Sequence, residues 1–174
     1  MQLQDAIDLI GPEAIPGNVP QVWADLGCGS GLFTQALASF LPDGSQIYAI
    51  DQQRQYGLKV SGNRSVDIEF IQANFERNLP ELSLLDGVLM ANSLHYVADK
   101  PRFLKQLKKQ LSAEARVLIV EYETTQSNPW VPYPVTFSQL QHLFSAIGFT
   151  AGQKLGERPS AYRQGNMYAA LLQP

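Results

Sequence analysis

Short apolar runs alternate with amphipathic stretches along most of the chain. Seven runs read as strands, at 22–26, 46–50, 67–72, 84–91, 115–122, 149–155 and 167–172. Four stretches read as helices, at 3–10, 31–40, 99–111 and 136–147, and a further short helix is expected within 54–63. The run at 84–91 is nearly continuous in apolar residues, as expected of a strand covered on both faces. This alternation predicts an α/β domain.

The first strand runs into a glycine-rich turn. Asp25 stands near the end of the apolar run, and Gly27, Gly29 and Gly31 follow at every second position before a helix. Glycine suits such a turn because it adopts positive φ and has no Cβ to hold a ligand away from the backbone. The helix start offers free N–H groups to a polar ligand. Strand, turn and helix predict a nucleotide-binding βαβ unit, and a turn without a ligand is the alternative.

Asp51 ends the second strand. It lies about twenty residues beyond Gly31, where a nucleotide-binding unit places a carboxylate for the ribose hydroxyls. A carboxylate accepts hydrogen bonds from both hydroxyls of a ribose. Aspartate is also favoured at a helix N-cap, and the two roles are compatible.

Composition and charge narrow the possible functions. The 174 residues are 45% hydrophobic and 17% charged, which predicts one globular domain over residues 1–174. The net charge of −3 offers no basic footprint for nucleic acid. The single cysteine, Cys28, cannot form an internal disulfide. The chain begins without a basic signal segment and holds no apolar run of membrane-spanning length, so we expect a cytoplasmic protein without a membrane partner.

Two segments carry a family resemblance. Residues 25–31, DLGCGSG, resemble motif I of the class I S-adenosylmethionine (SAM) dependent methyltransferases, whereas dinucleotide dehydrogenases use G-x-G-x-x-G. Residues 92–97, NSLHYV, resemble the motif IV region of that family. The resemblance extends from Val22 to the end of the chain. It implies a three-layer, Rossmann-like α/β sandwich whose seven-stranded sheet is mostly parallel, with an antiparallel last strand.

The resemblance implies SAM as the cofactor and no metal ion. Asp25 would act toward the amino-acid end of SAM, and Asp51 would bind the ribose. Asn74 stands where many members have an aspartate that accepts from the adenine amino group. Phe75 would pack on the adenine or belong to the core. The predicted cofactor-binding residues are Asp25, Gly27, Cys28, Gly29, Gly31, Asp51, Gln52, Gln53, Asn74, Phe75, Asn92 and Ser93.

His95 and Tyr96 are the candidate catalytic residues. They follow the fourth strand, and ligands of open α/β sheets bind outside the carboxyl ends of the strands. Either could remove a proton if the methyl acceptor is a hydroxyl or an amine. A hydrogen-bonded structural role is the alternative for His95, because methyl transfer does not always need a base.

Candidate acceptor-binding residues lie in two places. Trp130 and Tyr133 give aromatic surface to the proline-rich stretch 123–134, which leaves the carboxyl end of the fifth strand. This stretch could equally be packed down by its aromatic side chains. Arg158 and Tyr162 lie on the final hairpin, where they would reach an anionic substrate or keep the sheet edge soluble.

The predicted helix at 99–111 carries five cations opposite its apolar residues: Lys100, Arg102, Lys105, Lys108 and Lys109. The simplest interpretation is a solvated helix face, and a partner site is the alternative.

Together these features predict methyl transfer from SAM to a small-molecule acceptor by in-line displacement. The sulfonium is already activated, so the main task of the protein is alignment. A SAM- or nucleotide-binding module without catalysis is the alternative from another class. An NAD-dependent oxidoreductase comes third, because the glycine spacing argues against it. The sequence identifies neither the acceptor nor the oligomeric state.

Overall fold

The computed structural model describes residues 1–12, 15, 17–54, 65–82, 84–159 and 165–174. Its strands are β1 (Val22–Leu26), β2 (Gln46–Asp51), β3 (Asp67–Gln72), β4 (Leu85–Ala91), β5 (Leu111–Tyr122), β6 (Ala151–Pro159) and β7 (Asn166–Gln173). Its α-helices are α1 (Leu3–Ile10), α2 (Leu32–Phe40), α3 (Lys100–Lys108) and α4 (Phe137–Ser145), and a short 3₁₀ helix spans Leu94–Tyr96. The short helix expected within 54–63 lies almost wholly outside the described residues.

The seven strands form one sheet in the order β3-β2-β1-β4-β5-β7-β6. The first five strands in this order run parallel to one another. Strand β7 is antiparallel to both of its neighbours, β5 and β6. The predicted mostly parallel sheet with an antiparallel last strand is confirmed. The chain order reverses between β1 and β4, where open α/β sheets leave a ligand crevice at the carboxyl ends.

Helices cover both faces of the sheet. Helices α1 and α2 pack on one face, where Ile10, Leu37 and the ring of Trp23 share one buried apolar cluster. Helices α3 and α4 bury Leu104 and Phe144 in a second cluster on the other face. The predicted three-layer sandwich is thereby confirmed. No helix in the described ranges is long and apolar enough to cross a membrane.

Helix α3 begins where the sequence predicts. The Asp99 side chain accepts from the Arg102 N–H at 3.0 Å, and Pro101 occupies the first turn. The predicted end at 111 is wrong, because Leu111 opens β5 and pairs with Leu85. Leu111 fits the apolar spacing of a helix after Leu107, so periodicity alone does not separate the two elements.

Two further expectations need correction. The sixth strand runs over Ala151–Pro159, not 149–155, since Phe149 turns into the core beside Phe144 with ring centroids 5.3 Å apart. The expectation that all five cations around α3 form a solvated face is wrong for Lys100, whose side chain is buried.

Candidate active site

Three glycines with positive φ shape the turn after β1. The φ angles of Gly27, Gly29 and Gly31 are 88°, 50° and 82°. Residues with a Cβ are strained in this left-handed backbone, so these positions favour glycine. The N–H groups of Gly27 and Cys28 both donate to the carbonyl oxygen of Ile50, at 2.8 and 3.0 Å. The turn is therefore fixed to the end of β2.

Gly27 and Gly29 differ in their surroundings. A Cβ at Gly27 would lie 2.5 Å from the Cβ of Ser93, so glycine lets the segment after β4 pack directly on the turn. The Ser93 hydroxyl also donates to the Leu26 carbonyl at 2.5 Å. A Cβ at Gly29 would meet no described atom within 4 Å beyond its chain neighbours. The backbone of Gly29 is thus open to a ligand.

Asp51 braces the same turn. Its Oδ2 accepts from the Gly29 N–H at 2.9 Å, and its Oδ1 accepts from the Gln53 N–H at 2.8 Å. A carboxylate has about four acceptor positions, so about two remain for a ligand. The half-buried Asp51 side chain therefore accepts hydrogen bonds from the backbone and still lines the crevice.

A cavity of about 90 Å³ opens at the carboxyl ends of β1, β2 and β4. It unites much of the predicted site, and its walls are Gly27, Asp51, Gln52, Asn74, Phe75, Glu76, Asn92, Ser93 and Tyr96. The Asn74 amide donates to the Gln52 side-chain oxygen at 3.1 Å, and its own oxygen accepts from the Arg77 N–H at 3.1 Å. Phe75 is both wall and core, since its ring also meets that of Phe103 with centroids 5.9 Å apart.

Asp25 lies behind the turn and does not line this cavity. Its Oδ2 accepts from the Thr34 hydroxyl at 2.6 Å, whereas its Oδ1 is buried without a partner among the described residues. Burial raises the pKa of Asp25 to about 7, with the Thr34 hydrogen bond opposing and the charge of Asp51 assisting. An unpaired buried acceptor is costly, so Asp25 offers a place for a hydrogen-bond donor.

Asn92 combines two unusual features at the end of β4. Its φ of 54° is positive although it is not glycine, and such backbone tends to cluster at functional sites. Its side-chain oxygen is buried and lacks a partner in the described part of the chain. Asn92 is thus a second unpaired acceptor, and it lies in the cavity wall.

Cys28 contributes to the turn and not to the cavity wall. Burial raises the pKa of its thiol, and the charges of Asp25 and Asp51 add to the effect. Its backbone N–H is already bonded to Ile50. The Cys28 side chain is therefore a buried, uncharged thiol that packs within the glycine turn.

His95 forms a buried pair with Glu121. Their side chains are 2% and 1% exposed, and the His95 Nδ1 lies 2.7 Å from the Glu121 Oε2. The backbone N–H of His95 donates to the other carboxylate oxygen at 3.0 Å. A carboxylate only accepts, so Nδ1 carries the proton. The His95 Nε2 has no partner among the described residues, and the ring lines none of the cavities described here.

Tyr96, unlike His95, reaches the crevice. It is partly exposed, and its ring centroid lies 4.4 Å from that of His95. Burial raises the pKa of its hydroxyl, and the charges of Glu121 and Glu76 add to this. The hydroxyl is therefore protonated near neutral pH and can donate a hydrogen bond.

A second cavity of about 470 Å³ adjoins the first, and the two share Glu76 and Tyr96. The remaining walls are Arg77, Val97, Ala98, Asp99, Arg102, Phe103, Gln106 and Tyr133. We call this second cavity the outer chamber. Tyr133, one of the predicted acceptor-binding residues, lines this chamber.

The loop after β5 contains a tight turn. Asn128 and Val131 exchange backbone hydrogen bonds of 3.1 Å, and the Asn128 side-chain oxygen accepts from the Trp130 N–H at 2.9 Å. Trp130 projects from this turn with 71% of its surface exposed, and it lines neither the small cavity nor the outer chamber. The Tyr133 N–H donates to the His95 carbonyl at 3.0 Å. The loop is thus tied to the segment after β4.

Arg158 lies away from these cavities. Its guanidinium pairs with Asp5 of α1 at 3.3 Å, and its strand β6 is the sheet edge farthest from β3. Tyr162 lies outside the described residues. The largest described cavity, about 710 Å³, runs between α3 and α4 and includes no residue of the glycine turn.

A family model of the methyltransferase domain matches residues 24–119, more than half of the chain. The chain belongs to the class I SAM-dependent methyltransferases. SAM is therefore its cofactor.

One curated relative and two solved structures resemble the chain at low sequence identity. The chain is 26% identical over 147 residues to malonyl-[acyl-carrier protein] O-methyltransferase 2 of Coxiella burnetii, covering 78% of this chain and 57% of the relative. The chain thus spans a little over half of the curated relative it matches. A SAM-dependent methyltransferase from Methanosarcina mazei aligns with a TM-score of 0.65 and 17% identity, covering 92% of this chain and 94% of the other. The Burkholderia thailandensis 1,6-didemethyltoxoflavin-N1-methyltransferase was solved with S-adenosylhomocysteine. It aligns with a TM-score of 0.69 and 19% identity, covering 98% of this chain and 77% of the other.

The residues of this methyltransferase fit SAM. The open backbone at Gly29 accommodates a ligand at the turn. The unpaired side-chain oxygen of Asn92, in the cavity wall, can accept a hydrogen bond from a ligand. Asp51 retains acceptor capacity suited to ribose hydroxyls.

Sequence reasoning missed Glu76, which lines both cavities. It also missed three residues that support the candidate site: Thr34, Glu121 and Lys100. Each acts through a contact with a residue at least three positions away in the chain. Of these, only Glu121 could have been predicted from the sequence, because it is an acidic residue at the end of an apolar strand, like Asp51.

Proposed function

We propose that this methyltransferase methylates a small-molecule acceptor that enters through the outer chamber. The observation that carries the proposal is the shared wall: Tyr96 and Glu76 line both the small cavity and the outer chamber. The small cavity is lined by four of the predicted nucleoside-binding residues: Asp51, Gln52, Asn74 and Phe75. An acceptor in the outer chamber would therefore lie next to the cofactor.

SAM would supply an activated methyl group: the acceptor would form a bond to the methyl carbon as its bond to sulfur breaks, which leaves S-adenosylhomocysteine. The protein would hold the nucleoside end through Asp51, Gln52 and Asn74 and the amino-acid end through Asp25 and Asn92. No residue in this assignment places a carboxylate at the methyl group. Such a carboxylate would stabilise the charged ground state more than the transition state, in which the sulfonium charge disperses.

Tyr96 is the residue assigned to contact the acceptor. Burial raises the pKa of its hydroxyl, so the hydroxyl is protonated near neutral pH and would donate a hydrogen bond to an acceptor oxygen. His95 acts through its neighbours, because its ring is buried and is fixed by Glu121. Proton removal by the His95 Nε2 would require a path through the segment that covers it.

The chamber walls favour an acceptor with an anionic group. Arg77 and Arg102 line the outer chamber, and neither has an ion-pair partner among the described residues. Glu76 and Asp99 share the wall, although Asp99 Oδ1 is already engaged as the cap of α3. A guanidinium binds a carboxylate in a bidentate manner. The malonyl group in the name of the Coxiella relative carries such a carboxylate.

Two measurements test this function. The melting temperature should rise with SAM or S-adenosylhomocysteine and stay constant with NAD, since only a ligand of the native state stabilises it. Methyl uptake from labelled SAM should then be found in a panel of carboxylate-bearing acceptors, malonyl thioesters included. Tight SAM binding with no uptake across the panel and across neutral acceptors would favour the non-catalytic binding module.

A further inference from the structure

Lys100, the first residue of α3, is a buried lysine. Only 7% of its surface is exposed. Its Nζ donates to the carbonyl of Val97 at 3.0 Å and to that of Tyr133 at 2.6 Å. The same Nζ lies 5.7 Å from the centroid of the Tyr133 ring. A largely buried ammonium group thus bonds to two backbone carbonyls and lies near one aromatic ring.

The start of α3 does not require this lysine. Asp99 caps the helix and Pro101 supports its first turn. Burial of an ammonium is unfavourable unless hydrogen bonds replace its water. Burial accordingly lowers the pKa of Lys100, while the charge of Glu121 opposes that shift. The role of the side chain therefore lies in the two segments that it joins.

Those segments form the acceptor side of the proposed site. Val97 directly follows the 3₁₀ helix that carries His95 and Tyr96. Tyr133 belongs to the loop after β5, and its N–H donates back to the His95 carbonyl. Both Tyr96 and Tyr133 line the outer chamber. Lys100 and the Tyr133 amide thus hold the loop to the 3₁₀ segment from two sides.

We propose that Lys100 is a positioning residue that fixes the loop at 128–134 against the 3₁₀ segment and thereby sets the acceptor wall. We call the two hydrogen bonds from Lys100 to the Val97 and Tyr133 carbonyls the latch. The effect of the latch on turnover rests on the proposed function, whereas its effect on the position of the loop does not. Lys100 lines neither the small cavity nor the outer chamber, and it acts through Tyr133, which lines the outer chamber and not the small cavity.

Amide hydrogen exchange measures the latch directly. Positions 129, 132 and 134 are proline, so the stretch 129–134 has only the amides of Trp130, Val131 and Tyr133. The first two bond to Asn128 within the turn, whereas the Tyr133 amide bonds to His95. Trp130 and Val131 are therefore internal references for the contact that Lys100 supports.

The test compares Lys100→Met with Lys105→Met, which removes an exposed cation from the same helix. Methionine keeps the apolar stem and removes the donors. We expect exchange at the Tyr133 amide to accelerate about tenfold or more in Lys100→Met, with Trp130 and Val131 unchanged. Lys105→Met should leave all three amides unchanged. Lys100→Gln retains a donor for one carbonyl, so the Tyr133 amide should exchange at an intermediate rate in this variant. Lys100→Gln replaces Lys100→Met in the test if Lys100→Met does not fold.

Two results would overturn the proposal. One is an unchanged Tyr133 amide in a folded Lys100 variant. The other is equal acceleration of all amides, which indicates general destabilisation. Once an acceptor is known, Lys100→Met should raise its KM and leave the Kd for SAM unchanged. If exchange changes as expected and no acceptor is methylated, the latch stands and the proposed function fails.

Discussion

The Glu121 carboxylate accepts two hydrogen bonds from His95, one from the ring and one from the backbone. This contact joins the end of β5 to the 3₁₀ helix after β4. Two neighbouring strands are thereby linked at the point where open α/β sheets bind their ligands.

Replacement of Glu121 by glutamine should separate this link from cofactor binding. The amide cannot accept from both His95 donors as a carboxylate does, so the free energy of unfolding should fall by about 1–3 kcal/mol. Methyl transfer should fall while the Kd for SAM stays near its original value. Denaturant unfolding, transfer of labelled methyl from SAM and calorimetry measure these three quantities in turn. Glu114→Gln, an exposed change on the same strand, is the control, and an equal effect there would contradict the assignment.

Asp51→Asn should weaken SAM binding. Asparagine keeps one acceptor oxygen and loses the charge, which should reduce the affinity by about 1.5–3 kcal/mol if Asp51 bonds the ribose. Calorimetry with SAM measures this loss, and Asp8→Asn on the exposed side of α1 is the matched control. An unchanged affinity would restrict Asp51 to its two backbone bonds.

Alanine at Gly27 and at Gly29 should give opposite phenotypes. Gly27→Ala brings a Cβ against Ser93 and should mainly lower the melting temperature. Gly29→Ala meets open space, so its left-handed backbone should cost only about 1 kcal/mol of stability. The new methyl would stand where the ligand approaches, and SAM affinity should therefore fall. Equal melting temperatures for the two variants would contradict this distinction.

Asp25 should make the protein less stable as pH rises from about 4 to about 7. Its folded pKa is about 7 and its ordinary value is 3.8, so in this window the folded state holds a proton that the unfolded state has lost. Its contribution is complete below the ordinary value and is lost as pH passes the folded pKa. The slope reaches at most about 1.4 kcal/mol per pH unit.

Urea unfolding across this range tests the effect. Asp25→Asn, which resembles the protonated form, should remove that part of the slope. Thr34 and the nearby Asp51 stay unchanged in this comparison. An identical slope in the variant would show that other groups cause it.

The glycine turn was predictable because its requirements are local. Positive φ at alternate positions demands glycine, and the sequence displays that demand directly. The same holds for Asp51, whose position follows from the length of one βα unit. The mostly parallel seven-stranded sheet with an antiparallel last strand followed from the family resemblance, whereas the order of the strands was not predicted.

The contacts that were missed are not local. Glu121 and His95 lie 26 positions apart, and Lys100 and Tyr133 lie 33 apart. In the sequence, Lys100 reads as one cation among five around an amphipathic helix. Only the path of the loop after β5 shows that this lysine is buried while Lys105 stays exposed. Periodicity assigns faces of a helix, and it does not reveal which loop covers a face.

The buried thiol of Cys28 has a practical consequence. It is the single cysteine of the chain, and its raised pKa and burial in the glycine turn protect it from alkylation. A thiol reagent can therefore modify the native protein only when the turn opens. The rate of labelling would therefore measure how often the turn opens. A ligand that binds the turn should slow the labelling, so Cys28 would report cofactor binding without any substitution in the chain.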